Sequence, residues 1–170
     1  MKVKEWADGG LVLDGDIEKG IDESFSDGRY VEAFALLHSY IDWLLADLHQ
    51  LSSSMKNPRG ILVLQKLIDE HKYRYIDTLE LLLKSGVVND EEYKRLADFN
   101  EIRNRIIHRV IIHGYQPRLR NKVTRFEAEQ GFREGKALYV LLQGKTWQWT
   151  ASLLKSGRDV TKTGTLAQAP

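Results

Sequence analysis

The sequence predicts an all-α domain, an antiparallel up-and-down bundle of about five to six helices. Two observations lead there. Apolar residues recur at three- and four-residue intervals over long stretches, and those stretches begin and end on capping residues. Alternation of the strand type is confined to a short run at Leu11-Val12-Leu13. With 170 residues, 42% of them hydrophobic and 29% charged, the chain is of ordinary single-domain size and buries a core unaided. The single domain is expected over residues 1–155, with 156–170 as a flexible tail of little apolar content.

A first helix is expected from about Asp16 to Ser26, weakened by Gly20. The second is marked by Tyr30, Phe34, Leu37, Ile41, Leu44, Leu48 and Leu51, with Ser26 or Asp27 as cap and the Ser52-Ser53-Ser54 run as its end. Asn57-Pro58 reads as a cap followed by a proline in the first turn, opening a helix through Leu62, Leu64, Leu67 and Ile68. A further amphipathic stretch, Tyr75-Ile76-Leu79-Leu82-Leu83, stops at Gly86.

The next helix has both ends written into the sequence. Asn89 and Glu92 approximate a capping box, Asp90 and Glu91 complement the helix dipole, and Gly114 and Pro117 close it. That allows about 24 residues, roughly 36 Å. Its buried stripe is expected at Leu96, Phe99, Ile102, Ile106 and Val110. Thr124-Arg125-Phe126-Glu127 then opens a last helix carrying Phe132, Leu138, Leu141, Leu142, Trp147 and Leu153. Gly131, Gly135 and Gly144 within it suggest close packing or bends. Trp6, Trp43, Trp147 and Trp149 read as core and interface aromatics rather than base-stacking platforms, since basic residues do not alternate with them.

Composition excludes several chemistries. There is no cysteine, hence no disulfide, thiolate metal site or thiol nucleophile. No glycine-rich phosphate loop, H-E-x-x-H motif or nucleophile elbow occurs, and neither cofactor nor metal is expected. The N-terminus carries no apolar leader and no run approaches a membrane span, so a cytoplasmic location without membrane contact is expected. His38, His49 and His71 are scattered along helices and read as structural or exposed.

Charge is unevenly placed. From Ile102 to Phe126 there is no Asp or Glu, while Arg103, Arg105, Arg109, Arg118, Arg120, Lys122 and Arg125 lie there with His108 and His113. Removing those seven from the 25 basic residues leaves 18 against 24 acidic, a formal −6 elsewhere. A basic segment on an otherwise acidic protein suits a phosphate-bearing partner, and equally suits a helix end that complements its own dipole.

Within that segment Arg103, Asn104 and His108 are the candidate catalytic residues. The R-x-x-x-x-H spacing is weak by itself, because twelve arginines and five histidines meet that spacing easily by chance. The residue types fit metal-independent RNA cleavage. An imidazole exchanges protons near neutral pH, a guanidinium fork matches a phosphate, and an asparagine orients either without titrating. On a helix Arg103 and His108 stand about 140° apart, whereas Asn104 and His108 differ by about 40°. One helix does not focus all three on one phosphate; two related by a two-fold axis can, each supplying half a cleft.

The run Phe99-Asn100-Glu101-Ile102-Arg103-Asn104-Arg105-Ile106-Ile107-His108-Arg109 resembles the signature helix of the HEPN superfamily, the higher eukaryote and prokaryote nucleotide-binding domains. Its motif is an arginine, a polar residue, and a histidine four to six positions beyond the arginine. In element order the resemblance takes in the Tyr30–Leu51 helix, the LELLLKSGVV approach to Val88 and the Gly135-Lys136-Ala137-Leu138-Tyr139 segment. It implies a dimeric helical bundle with both motifs lining one cleft and, in many members, ribonuclease activity. Such members often act as toxins or in antiviral and RNA-processing systems. RNA, a second copy of the chain and a cognate antitoxin protein are therefore the expected partners. Arg103, Asn104 and His108 match the motif; Arg105, Arg109 and Asn100 are assigned a role in RNA binding. A non-catalytic domain that binds a nucleotide or docks a protein is the alternative.

Overall fold

The computed structural model describes residues 2–5, 11–14, 16–56, 74–113 and 123–163. Five helices lie among them: α1 Ile17–Ser26, α2 Tyr30–Lys56, α3 Tyr75–Lys84, α4 Asp90–His113 and α5 Arg125–Thr163. Strands β1 Lys2–Glu5 and β2 Leu11–Asp14 pair antiparallel, with Lys2 opposite Asp14 and Glu5 opposite Leu11. The described residues are thus almost entirely helical, with one hairpin before α1. β2 falls where the sequence allowed a short strand; β1 was not foreseen, because four residues of mixed polarity carry too weak a period.

The helix ends show why these segments fold as they do. Asp16 accepts from the Lys19 backbone N–H at 3.1 Å and caps α1. At its far end Gly28, with φ +76°, donates to Phe25 O, and Arg29 N–H donates to Ser24 O, a Schellman closure. The same pair of bonds recurs after α3, from Gly86 (φ +74°) to Leu83 O and from Val87 to Leu82 O. Asn89 and Glu92 exchange backbone-to-side-chain bonds, each of 2.9 Å, which completes the reciprocal box at the start of α4. Thr124 and Glu127 do likewise at the start of α5, at 2.7 and 3.1 Å.

Some boundaries differ from those expected. α2 runs through the serine run to Lys56, because Ser52 is buried and its hydroxyl donates back to His49 O at 3.0 Å instead of competing for the chain end. Asp27 closes α1 rather than opening α2. α5 continues to Thr163, past the boundary expected at 155. The helix expected from Asn57 through Ile68 lies outside the described residues, as do Trp6 and His71.

The residues divide into two compact units. In the first, residues 1–40 with 98–136, the core holds Ile21, Phe34, Leu37, Phe99, Ile106 and Phe132. Phe25 stacks on Phe132 at 3.9 Å between centroids, and Phe34 lies 6.1 Å from both Phe99 and Phe132. Two glycines make this packing attainable. A Cβ at Gly131 would come within 2.7 Å of Ile102, and one at Gly135 would overlap the Phe99 ring and sit 2.8 Å from Leu37. Gly144 meets nothing, so close packing does not account for it.

The second unit, residues 41–97 with 137–170, is built on Ile41, Leu44, Leu45, Leu48, Leu79, Leu82, Leu96, Leu138 and Leu142. The buried Tyr75 hydroxyl donates to Leu96 O at 3.1 Å, and burial, followed by the Asp42 charge, holds the phenol well above its ordinary titration range. Lys145 donates to Val87 O at 3.0 Å and pairs with Glu92, also at 3.0 Å. Trp43 and Trp147 are not core residues; they are 62% and 75% exposed. Each lies off the apolar stripe of its helix: Trp147 is about 140° round from Leu142, and Trp43 about 160° from Ile41.

Candidate functional site

All the site residues lie in the first unit, on α4 and the facing part of α2. Asn100, Asn104 and His108 recur every four positions and so form one row along α4, with Arg103 beside it. Ile106 and Phe99 on the opposite side are buried and anchor the helix to the core. The same amphipathic period leaves Asn100 and Asn104 half-buried and His108 exposed.

Arg103 is half-buried, and its Nη1 donates to the Asn104 side-chain oxygen at 2.7 Å. The structure therefore joins two of the three motif residues directly. His108 is exposed at the end of the row. Arg105 faces Glu127, with Nη1 and Oε1 3.6 Å apart and both side chains about a third exposed. This ties Arg105 to the carboxylate of the α5 capping box, which the Thr124 backbone and hydroxyl donors hold, with Arg105, below the usual carboxylate range. The Arg109 side chain lies outside the described residues.

The histidine that the sequence reading set aside belongs to this site. His38 reaches from α2 to Asn100, with its Nε2 3.0 Å from Asn100 Oδ1. It is 9% exposed and lies nearly parallel to the Phe99 ring. Burial, followed by the positive charge of Arg103, pushes its imidazole down to about 4, so it is neutral at pH 7. A signal for it existed: His38 lies four residues after Phe34 and three before Ile41, on the buried stripe of α2. A polar residue on a buried stripe needs a hydrogen-bonding partner, and Asn100 is that partner.

Taken together, His38, Asn100, Arg103 and Asn104 place a cation and two amides along a face that continues to an exposed imidazole. Such a face can bind an anion and exchange a proton beside it. Among the described residues, no three His, Asp or Glu side chains gather as a metal-binding group, and no helix is long and apolar enough to cross a membrane. No protein-family model, no curated protein and no solved structure matches the chain.

Proposed function

We propose that the protein is a metal-independent endoribonuclease of HEPN type, acting in the cytoplasm as a homodimer. Arg103 grips the scissile phosphate and neutralises the charge that builds on it, Asn104 holds the arginine fork, and His108 moves the proton. The 2′-hydroxyl gives its proton to a His108 imidazole and attacks phosphorus. The bond from phosphorus to the 5′ oxygen breaks, and that oxygen takes up a proton. The products are a 2′,3′-cyclic phosphate and a 5′-hydroxyl end. A second His108 across a two-fold axis is suited to supply the leaving-group proton, in an up-and-down dimer whose two motifs share a cleft. A toxin neutralised by an antitoxin protein is the biological setting that suits this activity.

The observation that carries the reading is the 2.7 Å bond from Arg103 to Asn104 on the row that ends in exposed His108. Incubating purified protein with single-stranded RNA in EDTA tests it. Cleavage that leaves cyclic-phosphate ends is expected; intact RNA, where a known ribonuclease cuts, contradicts it. One observation favours the second reading, a non-catalytic nucleotide-binding or protein-docking domain: Arg105 is already paired with Glu127 inside the fold. That reading expects no cleavage by the wild-type chain.

A further inference from the structure

An asparagine amide has two unlike ends. Its oxygen repels an anion and its –NH2 binds one, so an asparagine in an anion site is useful only if something fixes which end is presented. At Asn100 something does. The Oδ1 end lies 3.0 Å from His38 Nε2, an arrangement that is a hydrogen bond when the imidazole carries its proton on Nε2. No other side-chain hydrogen bond of Asn100 occurs among the described residues. Arg103 follows three positions later on the same helix, close enough for its charge to act on the His38 ring. The cation and the fixed amide donor are thus neighbours.

We infer that His38 is a positioning residue, which locks the Asn100 amide so that its –NH2 is presented to a backbone phosphate of bound RNA next to the one held by Arg103. This role rests on the RNA-cleaving reading above and deepens it. His38 itself does not touch the RNA: it is buried, and its Nε2 faces Asn100. Its neutral state follows from burial beside an arginine, and it ensures that the ring has a single N–H to give and does not repel Arg103.

The test is a double-mutant cycle read by fluorescence anisotropy of a labelled, single-stranded 2′-O-methyl oligonucleotide, which lacks the attacking hydroxyl and so reports binding alone. N100A and H38F are each expected to weaken binding about tenfold, the scale of one charge-assisted hydrogen bond. The double variant H38F/N100A is expected to be no weaker than N100A, because His38 acts through Asn100. H38Q, which keeps a side-chain N–H donor, is expected to recover most of the affinity lost in H38F. Equal loss from H38F in the wild-type and N100A backgrounds, or no recovery in H38Q, overturns the inference, as does failure of the wild-type chain to bind. If H38F does not fold, long-range proton–nitrogen NMR of the wild-type imidazole decides: the neutral Nε2–H form supports the inference, and the Nδ1–H form overturns it. Binding with the expected cycle but no RNA cleavage contradicts the ribonuclease reading alone. Cleavage with independent effects of the two variants contradicts the role of His38 alone.

Discussion

His38, on α2 against Asn100 at one end of the polar row, and His108, at its other end, have opposite surroundings. His38 is 9% exposed, hydrogen-bonded to Asn100 and neutral, whereas His108 faces solvent one turn beyond Asn104. A ring held in one protonation state by burial is suited to fixing its neighbours. A ring open to water is suited to taking and giving a proton during a reaction. The contrast is one of surroundings: burial holds one ring in a single protonation state, and the other lies open to solvent.

The largest effect that can break this contrast is on chemistry. His108→Ala is expected to lower the RNA-cleavage rate by about 10²- to 10⁴-fold while leaving the thermal midpoint nearly unchanged, since the side chain is exposed. A rate within a few-fold of wild type would remove His108 from the reaction.

The next effect sharpens the other end. The His38 value is depressed from 6.5 to about 4 in the folded chain, so on acidification the unfolded chain takes up this proton first. His38 therefore favours folding above pH 6.5, and that contribution is lost as the pH falls from 6.5 to about 4. The full difference is roughly 3 kcal/mol. Denaturant titrations across this window are expected to show a shallower loss for His38→Phe, which has no proton to gain. Parallel wild-type and variant profiles would mean that His38 titrates normally in the fold.

A smaller effect probes the packing beneath His38. Gly135→Ala drives a methyl group against Phe99, the ring beside His38, and against Leu37, at an expected cost of about 1–3 kcal/mol by chemical denaturation. Gly144→Ala, with nothing near its Cβ, is the control and is expected to be neutral or mildly stabilising. The smallest is at the Thr124 cap: Thr124→Ala is expected to cost about 1 kcal/mol, seen as a thermal midpoint lower by about 2–4 °C.

What was legible in the sequence was whatever the chain specifies locally. The start of α4 at Asp90 follows from Asn89 and Glu92, and the turn at Gly86 and the cap at Thr124 are equally local. The Arg103-Asn104 pairing is between adjacent residues and was within reach of spacing arguments. The His38–Asn100 bond joins residues 62 positions apart and was not. Periodicity places His38 on a buried stripe but does not name the partner on another helix. The Arg105–Glu127 ion pair was out of reach for the same reason: Glu127 lies just beyond the acid-free segment and is brought to Arg105 by the fold. Exposed Trp147 shows the converse, a large apolar residue credited to the core although it lies off its helix's apolar stripe.

The central claim is that the exposed end of the polar row does chemistry on RNA. The most direct measurement is the cleavage of one single-stranded RNA in EDTA by wild-type and His108→Ala proteins of matched thermal midpoint, with the product ends identified. The account predicts 2′,3′-cyclic-phosphate ends from the wild type and their loss by at least about a hundredfold in the variant. Equal cleavage by the two proteins, or none by either, would contradict it.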